Sequence, residues 1–181
     1  GQGTVVDQFE DKLKDFFNND YVTTVNAATS AEHLALHMLK KPVMNKVGYD
    51  GVAYHESNWP GIEEGDEVLA TPLTCTATNF PILSRKITKN TKVIFLVHWG
   101  GYPMDLDKLK EIQDKAYRNF GFKPAIIEDC AHALGSKFKG KTIGSHGNIC
   151  TFSFQAIKHL TSGDGGALVV PHKELYNRSK L

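Results

Sequence analysis

The chain has 181 residues, 41% of them hydrophobic, enough for one domain to bury a core and too many for a disordered chain. Its 21 basic and 20 acidic side chains leave a net charge of +1, so no basic face points to nucleic acid or to an anionic membrane. Cys75, Cys130 and Cys150 are odd in number, far apart and outside metal spacing; with no apolar run of membrane-span length and no signal-peptide pattern, they fit a cytoplasmic protein.

In chain order, Val6 to Phe17 comes first: Val6, Phe9, Leu13, Phe16 and Phe17 recur at helical spacing, with acids toward the start. Tyr21 to Val25 is a short β-type run that passes through Asn26 and Ala27 into a second helix reaching Leu36. Thr29 and Ser30 are its N-cap candidates, and the free N–H groups and positive dipole end of such a start suit a phosphate. Lys40 to Glu64, with Pro42, Gly48, Gly51, Pro60 and Gly61, reads as a loop. Asp66 to Thr71 reads as a strand, and Leu73 to Leu83 as a turn leading into a helix. Lys92 to His98 is a buried strand, Trp99 to Pro103 a turn, and Met104 to about Asn119 a helix with Leu106, Leu109, Ile112 and Ala116 on one face. With a further strand from Ala125, this βα unit predicts an α/β fold with a parallel, helix-covered sheet. After Val170 a last helix starts near Lys173.

Pro124 to Ala133 reads as a buried parallel strand carrying Asp129 and then His132 at its carboxyl end, where open α/β sheets gather ligands. A carboxylate there needs a cationic or hydrogen-bonding partner, and a protonated pyridine nitrogen would supply one. Further on, Lys158 lies between the strand-type run Thr151 to Phe154 and a glycine-rich turn followed by Ala167 to Val170. A lysine on stiff flanks facing a cavity is partly desolvated, which frees its neutral amine for a carbonyl; the plain alternative is a surface lysine between strands. A lysine bonded to a carbonyl and an aspartate on a pyridinium are the two groups that pyridoxal phosphate requires.

The run from Gly65-Asp66-Glu67-Val68 through Glu128-Asp129-Cys130-Ala131-His132 to Ser153-Phe154-Gln155-Ala156-Ile157-Lys158-His159 resembles the pyridoxal-phosphate-dependent nucleotide-sugar aminotransferases of the DegT/DnrJ/EryC1/StrS family, perosamine synthases in particular. The resemblance covers nearly the whole chain. It implies the large domain of the aspartate-aminotransferase-like fold type I, one unit over residues 1–181, truncated and without the family's smaller C-terminal domain. It implies pyridoxal 5′-phosphate carried by Lys158, which also shuttles the substrate proton. By the same resemblance Asp129 meets the pyridine nitrogen, His132 the phenolic oxygen, and Ser153, Thr29 and Ser30 the phosphate.

Three departures from the family pattern stand out. Ala28 replaces the glycine of the phosphate motif Asn-Ser-Gly-Thr-Ala-Ala-Leu. Cys75 stands where relatives usually stack a tryptophan or phenylalanine on the cofactor ring. After Pro81-Ile82-Leu83 the chain passes at once to Ser84-Arg85-Lys86-Ile87-Thr88, on the order of twenty residues short of the relatives; a natural deletion and a gap closed up in the numbering both produce this.

The resemblance further implies glutamate as donor, a nucleotide-linked 4-keto-6-deoxy sugar as acceptor, an aminosugar for surface polysaccharide as product, and a homodimer with shared sites. Lys158 argues against the dehydrating relatives, which carry histidine there. The alternative is a truncated, non-catalytic domain that serves as a binding or interaction piece, favoured by the early end, the short connection after Leu83 and Cys75.

A rival motif is Gly135-Ser136-Lys137-Phe138-Lys139-Gly140-Lys141-Thr142, which satisfies the Walker A pattern. A phosphate loop must open a helix, yet Gly144 and Gly147 follow at once, so a hairpin or surface turn is expected instead. None of the eight histidines stands at zinc spacing, no metal site is expected, and His98, His146 and His159 read as core or surface residues.

Overall fold

The computed structural model describes residues 3–40, 60–70 and 87–180. Cys75, most of the loop expected from Lys40 to Glu64, the helix expected within Leu73 to Leu83 and the junction after Leu83 lie outside the described residues.

The elements run α1 (Thr4–Phe17), β1 (Val22–Val25), α2 (Ala28–Met38), β2 (Glu67–Ala70), β3 (Thr91–Val97), α3 (Leu106–Phe120) and β4 (Ala125–Asp129). They continue through the two-residue strands β5 (Lys137–Phe138) and β6 (Lys141–Thr142) to β7 (Ile149–Ser153), β8 (Gly166–Val169) and α4 (Lys173–Ser179). The main sheet has the order β1-β8-β7-β4-β3-β2. β2, β3, β4 and β7 pair in parallel, while β8 runs antiparallel to both β7 and β1.

The α/β expectation holds, and its reason is visible in the helix that joins β3 to β4. Asp105 caps α3 by accepting from the N–H groups of Asp107 and Lys108 at 3.1 Å each. Gly121 ends it in the left-handed conformation, at φ 80°. Between these signals Leu106, Leu109, Ile112 and Ala116 are buried, so the helix returns the chain along the sheet and β4 starts parallel to β3.

Helices cover both faces, and strand alternation sorts the residues between them. On one face Leu13 and Phe17 of α1 and Leu106, Leu109 and Ile112 of α3 pack with Ile94, Leu96, Ile126, Cys150 and Phe152. On the other, Ala31, Ala35 and Met38 of α2 and Leu175 of α4 pack with Val93, Ile127, Ile149 and Leu168. Ile126 and Cys130 thus face α1 and α3, and Ile127 faces α2. The same alternation sends Glu128 to the first face and Asp129 to the second.

The rival phosphate-loop motif forms the β5–β6 hairpin, with Lys139 and Gly140 both at positive φ in its turn. The next element is the strand β7 and not a helix, which removes the nucleotide-phosphate reading.

Candidate active site

Asp129 closes β4 and pairs in register with Thr151 of β7. Ser153 lies two residues beyond Thr151, hence on the same face. That face is covered by α2, which packs on β8, β7 and β4. Both side chains are half-buried. Asp129 Oδ1 accepts from the Ala131 N–H at 2.9 Å, and the Asp129 carbonyl accepts from the His98 N–H at 3.0 Å.

The start of α2 sits close to these strands because β8 begins with glycine. A Cβ on Gly166 would lie 2.6 to 2.8 Å from the backbone of Ala27 and Ala28, a distance that no side chain tolerates. The N-cap is Ala27, without a side-chain bond, which corrects the expectation that Thr29 or Ser30 would cap. The helix begins before the hydroxyls, so both fall within its first turn. Ser30 Oγ donates to Asn26 Oδ1 at 2.6 Å. The N–H groups of Ser30 and Ala31 donate to the Ala27 carbonyl, while those of Ala28 and Thr29 open outward, as first-turn donors do. No acidic residue occupies this turn, so its positive end is open to an anion.

Lys158 lies on a closed loop between β7 and β8 rather than directly on a strand. The Phe154 N–H donates to the Gly165 carbonyl at 2.8 Å, and the Phe154 carbonyl accepts from Ser162 N–H and Thr161 Oγ1 at 3.0 Å each. Within this loop the Lys158 N–H donates to the Gln155 carbonyl at 2.9 Å, and the side chain is half-buried. His159 donates from Nε2 to the Leu134 carbonyl at 3.0 Å, tying the lysine loop to the segment after β4.

His132 occupies that segment and is exposed. Its ring meets Trp99 edge-on, with centroids 5.3 Å apart, and the Gly100 N–H points at Nδ1 from 3.4 Å. Gly101, at φ +78°, lets the turn after β3 lie against the His132 backbone, where a Cβ would stand 2.6 Å from the carbonyl oxygen. His98, read as a core or surface residue, is fully buried; His146 bonds the Lys141 carbonyl on the surface hairpin.

Two acidic residues belong to this picture that the sequence reading did not single out. Glu32, one turn into α2, is half-buried. Burial holds its carboxyl above the usual range, and the charge of Asp129 adds to the effect. The available signal was its helical spacing from Ala28. Glu128 is fully buried and accepts from His98 Nε2 at 2.6 Å and from Asn148 Nδ2 at 2.5 Å. Its signal was position alone, next to Asp129 in a strand.

His98, Glu128 and Cys130 bring one ligand atom each within 4.8 Å of one another. A metal would need a free ring nitrogen and a thiolate. Both nitrogens of His98 are engaged, and burial pushes the Cys130 thiol well up, so the cluster is a hydrogen-bond network instead.

An anion end, a carboxylate and an amine therefore gather at the carboxyl ends of one sheet. The profile of the DegT/DnrJ/EryC1/StrS aminotransferase family matches residues 1–181. The chain belongs to this family.

GDP-perosamine synthase of Escherichia coli O157:H7 is 34% identical over 200 residues, covering 98% of this chain and 48% of that protein. Lipopolysaccharide biosynthesis protein RfbH of Salmonella typhimurium is 29% identical over 183 residues, covering 96% of this chain and 40% of that protein. Among solved structures, AtS13 from Actinomadura melliaura superposes with a TM-score of 0.81 at 44% identity, over 100% of this chain and 49% of that one. The PMP form of Spr1654 from Streptococcus pneumoniae gives 0.78 at 25% identity, over 99% and 49%. The chain spans about half the length of the curated relatives it matches.

The DegT/DnrJ/EryC1/StrS aminotransferases imply pyridoxal phosphate, and the residues present fit it. The N–H groups that open α2 suit its phosphate, and Gly166 lets that helix start lie against β8. Asp129 suits a ring nitrogen, and Lys158 is an amine on an adjacent, tied loop.

Proposed function

We propose that this chain is the cofactor-binding large domain of an aminotransferase that moves an amino group from glutamate to a nucleotide-linked 4-keto-6-deoxy sugar. The product is an aminosugar for surface polysaccharide. The observation that carries the reading is the shared face: Asp129 and Ser153 lie on the face of the sheet that α2 covers, and Ser153 pairs with Gly166, against which α2 starts. The names of the relatives, a GDP-perosamine synthase and a lipopolysaccharide biosynthesis protein, support the sugar end.

Pyridoxal phosphate, when bound, supplies a carbonyl for amines and a ring that takes up electrons. The first turn of α2, with Thr29 and Ser30, and the Ser153 hydroxyl hold the phosphate by donating to it. Asp129 accepts from the ring nitrogen and keeps the proton there. His132 donates to the phenolic oxygen. The Lys158 amine accepts the proton of the donor's α-carbon and returns it. Cys75 offers no stacking face, so the ring is held chiefly through its phosphate and nitrogen ends. The protein works in the cytoplasm as a homodimer, with the second subunit completing the pocket.

The test is the absorbance of the chain with added pyridoxal phosphate, beside Lys158→Ala. A band in the near-violet that survives dialysis, needs Lys158 and shifts with glutamate supports the reading. No lysine-dependent band overturns it for this chain and leaves a domain that serves another protein as a binding piece.

A further inference from the structure

Among the described residues, Glu128 is the most deeply buried acid that the proposed chemistry does not use. It is 0% exposed, as is His98. Its backbone is continuous with Asp129, while its side chain lies on the opposite face of the sheet, toward α1 and α3.

Hydrogen-bond directions fix which groups carry protons. The Met104 N–H donates to His98 Nδ1 at 2.9 Å, so that nitrogen offers a lone pair. The ring proton is then on Nε2, which donates to Glu128 Oε2 at 2.6 Å. Asn148 Nδ2 donates to the other carboxylate oxygen. Glu128 accepts on both oxygens, which is the pattern of a carboxylate and not of a carboxylic acid. A second proton on His98 would set a donor against the Met104 N–H.

The outcome is a buried negative charge held by two neutral donors, with no lysine or arginine paired to it among the described residues. The fixed charge reaches its neighbours. The Cys130 thiol is pushed up by burial first, with the Glu128 charge adding to it. A tie between β3, β4, the start of α3 and the start of β7 would be served as well by a glutamine, its oxygen accepting from His98 Nε2 and its NH2 donating to the Oδ1 of an Asn148 amide turned over. Burying a charge for that purpose alone is unfavourable, so a structural role leaves the charge unexplained.

We infer that Glu128 is a supporting charge for the active site, one that stands behind Asp129 and helps keep a bound pyridine nitrogen protonated. The inference rests on the cofactor reading of the site proposed above. Glu128 touches neither cofactor nor substrate; it acts through its field across one strand, in a dry interior where fields are poorly screened. His98 is the positioning residue that holds it ionised, and Asn148 orients the other carboxylate oxygen.

The experiment is 15N NMR of the chain loaded with pyridoxal phosphate labelled at the ring nitrogen, comparing wild type, Glu128→Gln and Asn148→Ser. Glu128→Gln keeps the shape and removes the charge; Asn148→Ser disturbs the network and keeps the charge. The ring-nitrogen titration is expected to move down by about one pH unit in Glu128→Gln and to stay in place in Asn148→Ser. Equal midpoints in wild type and Glu128→Gln, with the Lys158-dependent band intact in both, overturn this inference and leave the cofactor reading standing. Wild type without that band overturns both. If Glu128→Gln does not fold, the wild type decides: a protonated Glu128 carboxyl by 13C NMR, or a proton on His98 Nδ1, overturns the inference, and an ionised Glu128 beside an Nε2–H ring sustains it.

Discussion

Asp129 and Ser153 stand on one face of the sheet, at the carboxyl ends of neighbouring parallel strands, two residues apart in register. The proposed mechanism gives them different work, so their substitutions are expected to differ. Among the described residues Asp129→Ala loses one side-chain hydrogen bond, to the Ala131 N–H, and it is expected to keep its circular dichroism spectrum while transamination falls about a hundredfold or more. Ser153→Ala is expected to weaken pyridoxal phosphate binding about tenfold, the worth of one hydrogen bond to a charged group. Near-normal turnover in Asp129→Ala would remove the electron-sink role from the mechanism.

Gly166→Ala tests the link between fold and phosphate site. The added methyl would meet the Ala27 carbonyl carbon at 2.6 Å and the Ala28 nitrogen at 2.7 Å, so the start of α2 must lift from β8. A stability loss of about 1–3 kcal/mol is expected from overpacking, measured by denaturant unfolding. Inorganic phosphate and pyridoxal phosphate should both bind more weakly. A variant that unfolds early but binds both as before would separate the helix start from anion binding.

Glu32 gives a pH signature. Its carboxyl is held above the ordinary value of 4.5, by burial first and the charge of Asp129 second. A raised acid binds its proton more tightly in the folded state, so the stability it brings is present at low pH and is lost as pH rises through the folded value. At neutral pH the charge is a cost. Glu32→Gln is expected to raise stability there by a few tenths to about 1 kcal/mol, with the gain vanishing below pH 4.5. Thermal unfolding of both proteins across that range reads it directly, and a gain that grows on acidification would contradict the sign.

Glu10 behaves in the opposite way. Burial pushes its carboxyl up, but the Thr24 N–H at 2.7 Å, the Thr24 hydroxyl at 2.9 Å and Lys180 at 3.3 Å together outweigh burial and hold it below 4.5. The folded state binds this proton less tightly, so the stability it brings is present above pH 4.5 and is lost as pH falls through the lower folded value. Glu10→Gln is expected to cost roughly 1–2 kcal/mol at neutral pH and progressively less in acid. A constant difference from pH 7 to pH 3 would show that packing, and not charge, sets the effect.

Much of this architecture was legible in the sequence, and the parts that were not share a cause. The β3-α3-β4 unit declared itself because Asp105, Gly121 and four regularly spaced apolar residues are local signals. Asp129 and Lys158 were visible as chemistry-bearing residues beside apolar runs. The cap of α2 was misplaced because Ala27 carries no hydroxyl; backbone geometry alone starts that helix. The reversal of β8 depends on partners far along the chain and leaves no local trace. Glu32 and the His98–Glu128 pair were missed for the same reason, since their meaning comes from the crossing of α2 over β4 and from the start of α3 meeting β3.

The Phe154 backbone fastens both ends of the segment that carries Lys158, giving its N–H to Gly165 and its carbonyl to Thr161 and Ser162. The amine therefore rides on a closed ring of chain with a clasp at one residue. Outside that clasp the ring is joined to the segment after β4 through His159 and the Leu134 carbonyl, so in the proposed mechanism the amine and the Asp129 carboxylate are carried by separate parts of the chain that meet through a side-chain bond.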